Sequence, residues 1–352
     1  MKTVIKYTGG KEKELPLIKK YLPKFSGRFI EPFVGGGSVF FAMKNKECYI
    51  NDKSTELINF YRCIAKQDPK FIFWLQKECN EFQELGIFIK RNKTDALAVY
   101  KQAISIDDYL LKYKDFFNNF ADNYNEIFLQ EIRRNLKIRI KHSIKLDEQN
   151  QKMSNIDKIN NIEAAVKSAY YMFMRYLYNH PFKISLGRYA AVFYFVHEYC
   201  YSSMYRYNKN NEFNVPYGGI SYNTKDFRKK IDYLLSDKVH KKISTAGIFC
   251  EDFENFLNAL NLTQNDFIFI DPPYDSAFST YANNEFNHEE QIRLYNHLKN
   301  TPAKIMIIIK YTEFIYSLYK NNFNIIGFDK KYMVNFKNRN NRNTKHLIIT
   351  NY

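Results

Sequence analysis

Residues 68–178 contain one glycine, Gly86, and one proline, Pro69. A stretch so poor in helix breakers can run as long helices, and this confines any other architecture to the two ends of the chain. Charged and apolar residues recur there at helical spacing, most plainly over 122–142. Residues 164–178 and 189–200 read as aromatic-rich helices suited to a core, and the polar stretch 154–161 reads as a loop.

The flanks are patterned differently. Residues 27–33 read as a short strand, 34–38 as a glycine loop and 39–43 as an apolar helix start. A second strand, 48–51, ends at Asp52, and a helix follows from about residue 54. The pattern resumes near residue 243 with short apolar runs at 247–250, 267–270 and 303–309, each suited to a parallel strand buried on both faces. Residues 331–336 and 346–350 read as a hairpin around a basic turn. No internal repeat is evident. The expected fold is α/β, a Rossmann-like sheet from residues 1–55 and 241–352, interrupted by a mostly helical insertion over 56–240.

Composition narrows the partner. Lysine and arginine number 53 against 37 acidic residues, a net charge of +16 in a chain that is 45% hydrophobic. That balance points to a polyanion such as nucleic acid, although the abundance of Lys, Asn, Ile, Tyr and Phe also carries the imprint of an AT-rich genome. The five cysteines form no CxxC pair and the seven histidines show no metal spacing, so reduced thiols and no metal are expected. With no apolar leader and no run near the roughly 18 apolar residues of a membrane span, the expected location is the cytoplasm.

The glycine loop lets a bulky ligand approach the backbone at the carboxyl end of the first strand, and Asp52 offers the acceptor that a ribose diol requires. The tetrapeptide Asp271-Pro272-Pro273-Tyr274 directly follows the strand at 267–270. The exocyclic amine of a base is a poor nucleophile, because its lone pair is delocalised into the ring. A site that methylates it must accept its hydrogens and hold it against an electrophile. The Asp271 carboxylate and the Pro272 carbonyl can accept two N–H bonds, Pro273 stiffens the turn, and the Tyr274 ring can stack on an extruded base.

With these residues the chain resembles the DNA adenine-N6 methyltransferases of the Dam type (alpha class, D12), which use S-adenosylmethionine. Tyr7-Thr8-Gly9-Gly10-Lys11 is similar to that family's N-terminal cofactor motif, and Glu31-Pro32-Phe33-Val34-Gly35-Gly36-Gly37 to its glycine motif. Asp52 corresponds to its ribose ligand, Asp252-Phe253 to its adenine-pocket segment and Asp271–Tyr274 to its catalytic motif. The resemblance implies that Tyr7 and Lys11 cover the cofactor's methionine end, and that Asp252 or the Phe253 backbone meets its base. The order of motifs, with a large insertion between residues 37 and 271, is the arrangement in which target recognition lies between the two half-sites.

Within the insertion, residues 201–208 and 212–218 resemble the family's DNA-contacting hairpin. Tyr201, Arg206, Asn208, Asn214, Pro216 and Tyr217 are the candidate contacts, with Tyr201 matching an intercalating aromatic. The chain then continues Gly218-Gly219-Ile220-Ser221 where GATC-reading members carry a basic residue, so the resemblance does not extend to reading GATC there. Lys337, Arg339, Arg342 and Lys345 supply cations for phosphates. Tyr281 and Phe286 either wall a flipped base or pack in the core. The expected activity is N6-adenine methylation of double-stranded DNA by base flipping, in an epigenetic setting or beside a cognate restriction endonuclease. Cytosine-N4 or RNA amine methylation, and a non-catalytic nucleic-acid-binding subunit, are the competing readings.

Overall fold

A computed structural model describes residues 1–7, 9–45, 47–148, 153–273, 286–331 and 343–352. Tyr274, Tyr281, Lys337, Arg339 and Arg342 lie outside the described residues. The chain divides into a sheet unit, residues 1–66, 205–207 and 237–352, and a helical unit, residues 67–204 and 208–236.

The sheet unit holds seven strands: β1 (Phe29–Glu31), β2 (Cys48–Asn51), β3 (Ala246–Phe249), β4 (Phe267–Ile270), β5 (Lys304–Lys310), β6 (Asn324–Lys331) and β7 (Asn343–Thr350). Their order is β3-β2-β1-β4-β5-β7-β6, with β7 antiparallel to both neighbours and all other pairs parallel. Every residue of β1 and β4 is buried, as the unbroken apolar runs require of central parallel strands. Ile30, Ile268 and Ile270 share one core cluster with Phe256, Leu294 and Ile315 from the helices Phe253–Asn258, His288–Leu298 and Glu313–Tyr319. Strand order runs outward from β1 to β3 and then returns to β4 on the other side of β1. The carboxyl ends of β1 and β4 therefore flank the topological switch point, where open α/β sheets bind ligands.

Two sequence expectations, the placing of one helix and that of Lys345, need correction in this unit. The helix Thr55–Ala65, assigned above to the insertion, packs against β3 and the helix Asp237–Ser244 of the sheet unit. The strand expected over 331–336 lies, beyond residue 331, outside the described residues; the strand that leads up to it is β6, where Ile325 and Ile326 pair with Ile349 and Ile348. Lys345 likewise sits in β7 opposite Asp329, not in a turn.

In the helical unit, Leu186–Tyr199 is buried on all sides from Gly187 onward and packs against Pro69–Arg91 and Asn155–Asn179. The loop expected over 154–161 is the start of Asn155–Asn179. Ser154 and Asp157 form a reciprocal capping box there, and the polar Ser154, Asn155 and Asp157 face water. Asp68 caps Pro69–Arg91 by accepting the Phe71 N–H at 2.8 Å.

One buried group in this unit runs against the rest. Glu78 is fully buried and neither carboxyl oxygen has a hydrogen-bond partner among the described residues. Burial pushes its pKa well above the usual carboxylate range, and Arg188 only partly offsets this. The folded state thus keeps a proton that the unfolded state has lost, so this group makes stability fall as pH rises above the unfolded value near 4.5. Glu78→Met is expected to stabilise the protein by about 1–3 kcal/mol, with the gain growing between pH 5 and pH 8 in thermal melts. A gain that is absent, or that shrinks as pH rises, would overturn this account.

Candidate active site at the carboxyl ends of the central strands

Glu31 ends β1 and Asp271 directly follows β4, which brings two carboxylates to the switch point. Between the motifs at the two chain ends lies Lys11, 2% exposed, whose Nζ forms an ion pair with Asp271 Oδ2 and donates to the Gly9 carbonyl at 2.9 Å. The Lys11 backbone N–H donates to Ser38 Oγ at 3.2 Å, tying the N-terminal segment to the helix Ser38–Ala42. Glu31 Oε2 accepts the Phe40 N–H at 2.9 Å. Burial first, and the Asp271 charge second, raise the Glu31 pKa well above its usual value, while the Phe40 N–H and Lys11 pull it down. Pro272 is buried and Pro273 is exposed, and the Pro273 carbonyl accepts Gln291 Nε2 at 3.1 Å.

The glycine loop is a tight turn held from both sides. Val34 N–H donates to the Asn51 carbonyl at 2.9 Å and Gly37 N–H to the Val34 carbonyl at 2.7 Å, with Gly37 at φ +68°. A Cβ on Gly36 would lie 3.1 Å from Tyr7 Cβ and 3.2 Å from the Ile5 carbonyl. The bare backbone is therefore required by the close approach of Tyr7 and the N-terminal segment. Tyr7 packs in turn on Tyr205, with ring centroids 4.5 Å apart.

Asp52 sits just beyond β2 and fixes the same loop. Oδ2 accepts the Gly35 N–H and Oδ1 the Ser54 N–H, each at 3.0 Å. Desolvation raises its pKa, and these backbone donors oppose the shift. Each carboxylate oxygen offers two lone pairs, so the loop contacts do not exhaust its accepting capacity. Asn51, 1% exposed, donates to the Pro32 carbonyl at 3.1 Å and the Glu251 carbonyl at 3.0 Å, and accepts the Glu251 N–H at 2.9 Å. It thereby joins the ends of β1, β2 and β3.

Asp252 caps the helix Phe253–Asn258 through the Glu254 N–H. Its carboxylate is gripped by Arg293 in a fork of 2.7 and 3.1 Å. Burial alone would raise the Asp252 pKa, but this pairing overrides it and the net shift is downward. The guanidinium lies 4.4 Å from the Phe253 ring centroid. Phe33, Phe253 and Phe286 meet with centroids 5.6 to 5.9 Å apart, and Phe286 is 6% exposed, which decides for core packing over a base-facing wall.

The structure thus gathers Tyr7, Lys11, Glu31, Pro32, Phe33, Gly35, Gly37, Asp52, Asp252, Phe253 and Asp271–Pro273 in one unit. Asn51, Tyr61, Gln291 and Arg293 were not singled out from sequence. The Tyr61 hydroxyl donates to the Gly35 carbonyl at 2.9 Å. Asn51 carried a usable signal, as a polar residue ending an otherwise apolar buried strand; the other three act through partners distant in sequence.

The candidate nucleic-acid contacts separate more sharply. In the helical unit Tyr201 is 50% exposed, and its N–H donates to the carbonyl of exposed Pro216 at 2.8 Å. Asn214 is half-buried. Asn208 Oδ1 caps its own turn by accepting the Asn210 and Glu212 N–H groups at 2.9 and 3.0 Å. Tyr217 is a correction: it is buried, its hydroxyl donates to Asn223 Oδ1, and its ring packs on Tyr171 and Tyr199, so its side chain belongs to the core. Ile220 is 44% exposed. In the sheet unit Arg206 is exposed beside buried Tyr205, and Lys345 Nζ lies 5.3 Å from the Tyr311 ring centroid.

A family model described as D12 class N6 adenine-specific DNA methyltransferase matches residues 7–334. The type II methyltransferase M.CviBI of Paramecium bursaria Chlorella virus NC1A is 26% identical over 359 positions, covering 100% of both chains. The type II methyltransferase M1.LlaDCHI of Lactococcus lactis subsp. cremoris is 25% identical, covering 99% of this chain and 94% of its own. The type II methyltransferase M.MjaIII of Methanocaldococcus jannaschii is 26% identical, covering 100% and 99%.

Proposed function

This chain belongs to the D12 class N6 adenine-specific DNA methyltransferases and is a site-specific DNA adenine methyltransferase, and we propose that its chemistry centres on Asp271 and Pro272. Membership implies S-adenosylmethionine as methyl donor, which when bound supplies an electrophilic methyl group on a sulfonium. The residues around the switch point fit such a group: a tight glycine loop, a strand-end carboxylate with lone pairs to spare, and the aromatic ring of half-buried Phe33 beside Phe253. Asp52 would accept from the ribose diol, Tyr7, Lys11 and the Glu31–Gly37 turn would bound the amino-acid end, and Asp252 with the Phe253 backbone would meet the base.

In this reading the target adenine leaves the duplex and its amine donates to the Asp271 carboxylate and the Pro272 carbonyl. Both hydrogens are thereby held, and the nitrogen lone pair is turned toward the methyl group. Tyr274 stacks on the base. No metal and no covalent enzyme intermediate is needed. The observation that carries the reading is the Lys11–Asp271 ion pair, which joins the N-terminal motif to the tetrapeptide at the switch point.

Duplex DNA is the partner, met through Tyr201, Arg206, Asn208, Asn214, Pro216 and the cations at 337, 339, 342 and 345. We place the enzyme in the cytoplasm, beside a cognate restriction endonuclease, and with a target other than GATC. No helix among the described residues is long and apolar enough to cross a membrane. The test is incubation of the purified protein with unmethylated genomic DNA and S-adenosylmethionine, followed by nucleoside mass spectrometry and single-molecule mapping. N6-methyladenine in one repeated context other than GATC is expected. N4-methylcytosine, methylation confined to RNA, or no turnover with donor bound would each overturn the proposal.

A further inference from the structure

The amide of Gln291 is the least economical polar group near the site. The residue is 0% exposed in the first turns of the helix His288–Leu298, which Asn287 caps through the Glu290 N–H. Its Nε2 donates to the Pro273 carbonyl at 3.1 Å, while its Oε1 is buried with no hydrogen-bond partner among the described residues. A half-satisfied buried amide costs free energy, and such a group in a folded protein calls for an explanation. Folding alone does not provide one. Pro273 is exposed, so water can solvate its carbonyl, and an apolar side chain of the same length would remove the unpartnered Oε1.

The contact falls on the peptide that leaves the pair of prolines. Proline fixes φ at Pro272 and Pro273, which leaves ψ as the soft torsion at each. A donor on the Pro273 carbonyl fixes ψ at Pro273, and with it the orientation of the proline turn that follows Asp271. At the other end of the same three residues, Lys11 holds Asp271.

We infer that Gln291 is a positioning residue for methyl transfer: its amide fixes the Pro273 carbonyl, and with it the proline turn, so that the Pro272 carbonyl meets the target amine in register. This rests on the reading of Asp271 and Pro272 as the acceptors. Gln291→Met and Gln291→Leu keep volume and remove the donor together with the unpartnered acceptor. Single-turnover methylation of DNA should slow by about tenfold to a hundredfold, as displacement of a reacting group does. S-adenosylmethionine Kd should change less than about threefold, and the melting temperature should not fall, because the unsatisfied Oε1 is gone.

Gln291→Glu adds a readout that a purely structural role would not move. Its carboxyl can donate to the Pro273 carbonyl only when protonated, and burial favours that form. Its rate relative to the unmodified enzyme should therefore rise as pH falls from 8.5 to 6. Asp271→Ala assayed in parallel separates the failures. If Asp271→Ala still transfers methyl groups, the acceptor reading fails. If it is inactive while Gln291→Met and Gln291→Leu keep the full rate, or lose rate only in proportion to folded protein or bound donor, the positioning role is overturned.

Discussion

Asp271→Ala is expected to lower methyl transfer to DNA by roughly three orders of magnitude while changing S-adenosylmethionine affinity only a few fold. Losing one preorganised group aimed at the reacting atom commonly costs about 10²–10³ in rate, and the carboxylate is proposed here as one of two acceptors that orient a weak nucleophile. Donor affinity is spared because the loop contacts at Gly35, Asp52 and Tyr61 do not pass through Asp271. The alanine also removes the carboxylate from buried Lys11, so a loss of stability accompanies it. Asp271→Asn, which keeps a carbonyl acceptor and the side-chain shape, separates the two effects. Single-turnover rates, donor titration and thermal melts on both variants are the measurements. Substantial transfer by folded Asp271→Ala would remove Asp271 as an acceptor.

Lys11→Met is expected to lower the rate at pH 7 by about a hundredfold and to recover part of it at pH 9. Lys11 is the cation set between Asp271 and the N-terminal motif, and it also lowers the proton affinity of Glu31. Without it two carboxylates face each other across the ends of β1 and β4, one of them buried, and the pair keeps a proton to higher pH. A protonated pair is a poorer acceptor for an amine N–H. The acid limb of the pH–rate profile therefore moves upward, and raising the pH restores the acceptor. An unchanged profile with reduced donor binding would assign Lys11 to the cofactor alone.

The strands that carry the site could be read from sequence because they are buried on both faces. Residues 48–51 and 267–270 are short apolar runs with charged or turn-forming neighbours, and β2 and β4 occupy those residues. The strand β6 was not read from the sequence because Gly327 and the polar residues after Phe328 interrupt its apolar pattern; its partner β7 reveals it only in three dimensions. Polar residues over 154–161 signalled a loop, yet Ser154, Asn155 and Asp157 belong to the solvated start of a helix, a distinction that composition does not carry. At the site, the motif residues were visible but the groups that hold them were not. Arg293 grips Asp252 across 41 residues and Gln291 reaches Pro273 across 18, and neither spacing has a local signature. Tyr217 sits in the hairpin-like segment of the sequence but turns inward, and no feature of its immediate neighbours announces this.

The position of β1 sets a condition on how the enzyme is made. This strand lies between β2, which follows it within a score of residues, and β4, which the ribosome reaches only after the whole helical unit. During that interval β1 has one unpaired edge, and Lys11 and Glu31 stand without Asp271. Closing so long a connection adds little to its entropy, because that cost grows only with the logarithm of length. The consequence is a matter of timing. A chain interrupted anywhere in the helical unit carries the glycine loop and an open edge of β1 but lacks β4 and the tetrapeptide after it, so such a fragment is expected to transfer no methyl group.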